Sequence, residues 1–201
     1  MDGIAQTIAA AAGLFAGTNI DDIIVLAVLF LAGRASGTPR PWQIWAGQTA
    51  GFTVLVAVSV LAALGLSIVP GAWVGLLGLL PLALGVWGLT KAARAHQSGA
   101  QVSAAPAGGL VSVAILTIVN GADNLAVYPP VFRAIGTGPT AVTIVVFFAG
   151  VAAYCLIGSG LGSHKKAIEM IERWGHWIVP AVFVVIGVII LLGSGALTEI
   201  F

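Results

Sequence analysis

Residues 4–31 form one long apolar run, and in its middle stands Gly17-Thr18-Asn19-Ile20-Asp21-Asp22. A run of that length reads as a transmembrane helix, since roughly 20 apolar residues cross the hydrocarbon core. Two neighbouring carboxylates at its centre cost at least about 2.5–3.5 kcal/mol per charge there. A second polar cluster, Asn120-Gly121-Ala122-Asp123-Asn124, interrupts another apolar run in the second half of the chain. Of the seven acidic residues, Asp21, Asp22 and Asp123 lie in these two clusters. Glu169 and Glu172 fall in a charged connector, and Asp2 and Glu199 stand near the ends. The reading is that the two clusters face each other across a membrane-buried cation site.

Composition supports the membrane assignment. Only 7% of the 201 residues are charged and 59% are hydrophobic, against about 25% charged in soluble domains. The fold class is therefore an all-α integral membrane protein. A net charge of +1 without a basic patch gives no sign of a nucleic-acid partner. Cys155 is the lone cysteine, which excludes an internal disulfide and a thiolate cage within one chain. Met1-Asp2-Gly3 lacks the positive region of a signal peptide, so the first run is expected to be a retained helix.

Six apolar runs can be counted: 4–31, 42–68, 73–89, 110–132, 139–161 and 177–197. A five-span count is the weaker option. The connector 33–41 is turn-rich and basic, and Pro70-Gly71 makes a tight turn into the third run. The second run carries Gly47-Gln48-Thr49-Ala50-Gly51, a small-residue spacing that lets helix backbones approach closely. The segment 91–107 is the long polar linker and divides the chain nearly in half. Residues 163–176 read as a short interfacial helix, with Ile168, Ile171 and Trp174 on one face and Lys165, Lys166, Glu169, Glu172 and Arg173 on the other. His96, His164 and His176 all lie in connectors.

With six spans, Arg34, Arg40, Lys91, Arg94, Lys165, Lys166 and Arg173 fall on one side and Arg133 on the other. By the positive-inside rule the seven are cytoplasmic and both termini are outside, as in a bacterial inner membrane protein. The halves also resemble each other. Asn19-Ile20-Asp21-Asp22 matches Asn120 to Asn124 with one extra residue, while Gly51 pairs with Gly150 and Pro81…Gly88 with Pro180…Gly187. Three helices per repeat require the second half to run inverted, a transporter architecture with its site at the repeat interface. The expected organisation is a first three-helix repeat over 1–91, a cytoplasmic linker over 92–107 and an inverted second repeat over 108–201.

Carboxylates, amide oxygens and a hydroxyl make a hard donor set suited to divalent cations such as Mn²⁺, Mg²⁺ or Ca²⁺. The candidate ligands are Asp21, Asp22, Asp123, Asn124, Asn19, Asn120 and Thr18. Asp21 and Asp22 lie about 100° apart on a regular helix, so either the helix unwinds or one of them serves another purpose, such as proton transfer. Pro129 and Pro130 free the carbonyls of Leu125 and Ala126, which are further candidate ligands. Thr18, Asn19, Asn120 and Gln48 have a plainer reading as interhelical hydrogen-bond partners, and Gln48 is read as that rather than as a ligand. Gly47, Gly51, Gly150, Gly158 and Gly162 are read as packing residues and Cys155 as a small buried hydrophobe. The three aspartates resist the plain reading, because no Lys or Arg lies within any run to pair with them.

Taken together, Thr18-Asn19-Ile20-Asp21-Asp22 with Val25-Leu26, then Gly47-Gln48…Gly51-Phe52, then Leu77-Gly78-Leu79-Leu80-Pro81…Gly85, then Asn120-Gly121-Ala122-Asp123-Asn124…Tyr128-Pro129-Pro130-Val131-Phe132 resembles the cadmium resistance transporter family. That family belongs to a lysine-exporter-like superfamily of small membrane exporters. The resemblance implies export of Cd²⁺ or a related divalent ion, with the lipid bilayer and the ion as partners and no cofactor beyond the transported cation. Some members associated with cadmium carry a cysteine just before the Gly-Ala-Asp-Asn element, where this chain has Val119-Asn120. That departure leaves a harder ion such as Mn²⁺ open. Export of a basic amino acid, as in another branch of the superfamily, would need an in-span cation for the substrate carboxylate. An intramembrane aspartyl protease and a non-transporting assembly factor are the distant alternatives, and a homo-oligomer is left open.

Overall fold

The computed structural model describes residues 2–68, 79–94, 109–161, 177, 181, 184–189 and 191–192, and among these the regular structure is helical. The main helices in chain order are α1 (Asp2–Thr18), α2 (Asp22–Ser36), α3 (Pro41–Gly65), α4 (Leu79–Arg94), α5 (Leu110–Asn120), α6 (Asn124–Ile135) and α7 (Thr137–Leu161). Short 3₁₀ turns, Leu66–Ile68 and Gly121–Asp123, follow α3 and link α5 to α6. The interfacial helix read at 163–176, the Pro70-Gly71 turn, Gly162, the three histidines and most of the sixth run lie outside the described residues.

Three helical stretches are long and apolar enough to cross a membrane: Pro41–Gly65, Leu110–Ile135 and Thr137–Leu161. The first apolar run, expected as one span over 4–31, is instead two helices, Gly3–Thr18 and Asp22–Ser36, bent by 62°; taken as one broken span, they make a fourth. The cause is local. Phe15 O accepts both the Asn19 N–H at 3.0 Å and the Asn19 amide side chain at 2.9 Å, and the chain then continues on three-residue bonds, Asp22 N–H to Asn19 O and Ile24 N–H to Asp21 O, both 3.0 Å. Asparagine and aspartate are weak helix formers, and the ladder gives way where they follow one another. The helix unwinds at Asp21, one of the two outcomes the aspartate spacing left open. α4 continues through Lys91 to Arg94, so the first residues of the polar segment 91–107 are helical.

α3 packs chiefly on α5 and α6, and α7 chiefly on α1 and α2. Small residues set the closeness of both contacts, as expected where lipid removes the hydrophobic drive between helices. A Cβ on Gly47 would stand 2.6 Å from Val113 Cβ, and one on Gly51 would stand 2.6 Å from the Ala114 carbonyl oxygen. Across the molecule, a Cβ on Gly150 would meet the Phe15 ring at 2.5 Å and one on Gly158 would meet Leu26 Cβ at 2.7 Å. Between these seams lies an aromatic core of Phe15, Phe52, Tyr128, Phe132 and Phe147, and Phe15, Phe52 and Phe147 are mutually tilted or edge-on. Such geometry suits aromatic quadrupoles. Trp42 points outward near the start of α3, as an interface anchor does.

Candidate functional site

Each polar cluster sits where its helix is interrupted. The α1–α2 break presents Thr18, Asn19, Asp21 and Asp22, and the 3₁₀ turn between α5 and α6 presents Asn120, Asp123 and Asn124. The interruptions meet in two layers.

The first layer holds the carboxylates. Asn120 Nδ2, from the end of α5, donates to Asp22 Oδ1 at 2.6 Å and to Asp21 Oδ2 at 3.3 Å. Gln48 Nε2, from α3, donates to the other oxygen of Asp22 at 2.9 Å. Thr117 Oγ1 in turn donates to Gln48 Oε1 at 2.6 Å. Asp22 is buried, whereas Asp21, Asp123 and Asn120 are half-buried. Asp21 is an electrostatic neighbour of both Asp22 and Asp123, so three carboxyl groups share one region of low dielectric. The nearest arginines along these elements, Arg34 and Arg133, stand in the last turns of α2 and α6.

The second layer is uncharged. Thr18 donates its proton to Leu14 O at 2.9 Å, so its oxygen is the acceptor for the Tyr128 hydroxyl 3.0 Å away. Asn19 Nδ2 donates to Tyr128 Oη at 2.8 Å, and Asn19 Oδ1 accepts from Asn124 Nδ2 at 2.9 Å. The chain of donors fixes how Asn124 is turned, and it leaves one atom over. Asn124 Oδ1 is buried without a hydrogen-bond donor among the described residues. A buried orphan acceptor is costly unless something electropositive faces it. A cavity of about 340 Å³ between α1, α6 and the start of α7, lined by residues including Leu14 and Val131, reaches to within a turn of this layer.

Six of the seven candidate residues are thus joined by hydrogen bonds across the two interruptions: Thr18, Asn19, Asp21, Asp22, Asn120 and Asn124. Asp123 is linked to them through its electrostatic neighbour Asp21. No three His, Cys, Asp or Glu side chains among the described residues are gathered closely enough to hold a metal ion. An ion here would draw on amide and backbone oxygens as well as carboxylates. Pro129 and Pro130 are buried inside α6. Cys155 is fully buried in the core, as read.

Three contributors were not singled out from the residues alone: Thr117, Tyr128 and Gln48 as an Asp22 partner. The signal available was spacing. Thr117, Asn120 or Gly121, Asn124 and Tyr128 recur every three or four residues and so share one helix face.

Comparison with curated proteins and with solved structures finds no match. A family model does match: that of the cadmium resistance transporters covers residues 15–201, nearly the whole chain, and the chain belongs to that family.

Proposed function

We propose that this protein is a secondary transporter exporting a divalent metal cation, Cd²⁺ by the family's name, through a site between the two helix interruptions. Asp21 and Asp123 are the principal ligands in this reading, and Asp22, Asn124, Asn19, Asn120 and Thr18 complete the shell. The observation that carries it is the bridge made by Asn120, whose amide joins both carboxylates of the first interruption to the second. One turn further on, the orphaned Asn124 Oδ1 is an acceptor suited to a cation.

The chain is a multi-pass membrane protein of a transporter family, not of an enzyme family. The finer architecture belongs to the proposal: six spans as inverted repeats over 1–91 and 108–201, joined by a cytoplasmic linker over 92–107. Cross-packing supports it. Gly51 lies against Ala114 and Gly150 against Phe15, pairs related by one offset of 99 residues. Arg34 donates to Ser159 O at 2.7 Å and Arg133 to Leu66 O at 3.4 Å, and the two arginines stand at the same offset. Inversion of such halves brings their interruptions to matching depth.

A second reading, export of a harder ion such as Mn²⁺, is favoured by the all-oxygen donor set and by the placement of Cys155 in the aromatic and aliphatic core. Metal tolerance and accumulation in a sensitive host, compared across Cd²⁺, Mn²⁺ and other divalent ions, test transport and rank the substrates. No change in tolerance to any of them would sink the proposal. Cysteine labelling tests the orientation, with positions 94 and 165 expected inside and 133 outside; a linker reached from outside overturns it.

A further inference from the structure

We infer that Gln48, held by Thr117, is a positioning residue that decides which oxygen of Asp22 faces the ion, and thereby whether the site accepts an ion that demands bidentate carboxylates. The inference rests on the reading that Asp22 belongs to the ion's site.

Asp22 opens α2 immediately after the non-helical turn, and the N-cap before it, Asp21, makes no side-chain capping bond. Two amides hold the Asp22 carboxylate. Asn120 takes Oδ1, on the side where Asp21 Oδ2 also stands, and Gln48 takes Oδ2 and turns it toward α3. Gln48 is itself locked. Its Oε1 accepts from Thr117 at 2.6 Å, and the same threonine hydroxyl lies 3.0 Å from Val113 O. Its backbone is wedged too, because Gly47 and Gly51 on either side leave no room for a Cβ against α5. The amide therefore cannot follow the carboxylate if the carboxylate turns.

The chemical consequence is that Asp22 offers the ion one oxygen rather than two. A small octahedral cation such as Mg²⁺ is served by single carboxylate oxygens, whereas a large one such as Ca²⁺ takes six to eight oxygens at about 2.3–2.6 Å and gains from bidentate carboxylates. Holding Oδ2 away disfavours the ion that needs more oxygens. Removing the hold frees the second oxygen and admits it.

The test measures ion ratios in proteoliposomes of the full-length protein, with uptake of Cd²⁺ or Mn²⁺, whichever the wild type carries faster, and Ca²⁺ as competitor. A ratio within one sample is unaffected by how much protein is folded. Gln48→Leu is expected to let Ca²⁺ compete at a roughly tenfold lower concentration, the scale set by losing one charge-assisted hydrogen bond. Gln48→Glu, which keeps an acceptor for Thr117 but loses the donor to Asp22, should shift the ratio as well. Thr117→Val should act in the same direction, and Thr117→Ser should restore the wild-type ratio. Because Thr117 acts through Gln48, the double variant Gln48→Leu/Thr117→Val should be no worse than Gln48→Leu alone. An unchanged ratio in Gln48→Leu, or additive shifts, overturns the inference. If Asp22→Ala transports like the wild type, Asp22 lies outside the ion's site and the inference fails while the transport reading stands; if the wild type carries neither ion, the transport reading fails and the inference falls with it. If Asp22→Ala is inactive while Gln48→Leu keeps the wild-type ratio, the positioning role alone fails.

Discussion

The two helix interruptions use similar residues and come out differently. At Asn19–Asp21 the chain leaves the helix and returns at 62°, while at Gly121–Asp123 it tightens into a 3₁₀ turn inside one 26-residue span. The backbone explains the contrast. Asn120 and Asn124 keep right-handed helical angles on either side of Gly121, so the second interruption is a local overwinding. At the first, Phe15 O keeps the Asn19 N–H and also accepts the Asn19 side chain, and beyond Asn19 the ladder gives way to three-residue bonds. The bend lets two adjacent carboxylates face the same amide, which a regular helix forbids at about 100° per residue. The 3₁₀ turn keeps Asn120 and Asn124 on a face with Thr117 and Tyr128. One interruption contributes charge in a pair, and the other contributes amides in a row with a single carboxylate.

The largest test of that division is to remove charge from each side. Asp21→Ala and Asp123→Ala are both expected to abolish metal tolerance at unchanged expression, because each removes a charge that must balance the ion in low dielectric. Survival of Asp123→Ala with loss of Asp21→Ala would show that the bent interruption works alone.

A smaller contrast concerns the packing that brings the interruptions together. Gly51→Ala sets a methyl 2.6 Å from the backbone oxygen of Ala114, whereas Gly150→Ala meets the edge of the Phe15 ring. A ring can turn and a helix carbonyl cannot. Gly51→Ala is therefore expected to cost about 1–3 kcal/mol, with Gly150→Ala milder, read as thermal unfolding of the purified protein in detergent. The reverse order would mean that α7 on α1 is the tighter seam.

The smallest effect is expected at Cys155. Cys155→Ala should leave most metal tolerance, since the thiol sits among hydrophobic side chains and the proposed ligands are oxygens. Loss of cadmium tolerance at normal expression would bring α7 into the site and reverse the preference for hard ligands.

The aspartates and their asparagine neighbours were legible in the sequence because charge inside apolar runs has few explanations. Gly47 and Gly51 were legible by spacing, and the clash each Cβ would meet bears that reading out. The unwinding at Asp21 followed from two carboxylates in adjacent positions, although its angle did not. Gln48 was read as an interhelical partner, which it is, but its partner Asp22 could not be named. A neutral amide carries no mark of the group it will meet; that depends on how α3 is turned against α5, which small residues set only in three dimensions. Thr117 escaped for the same reason, being one more hydroxyl in an apolar helix.

The Asn120 amide nitrogen has a consequence for how the halves stay together. It joins α5 to Asp21 and Asp22 through lone pairs that a cation would also seek, and an N–H group is repelled by a cation. An ion that takes those same lone pairs would therefore loosen the fastening of the halves at this point. Arrival of the ion would unfasten the bridge, and its departure would allow the bridge to close again.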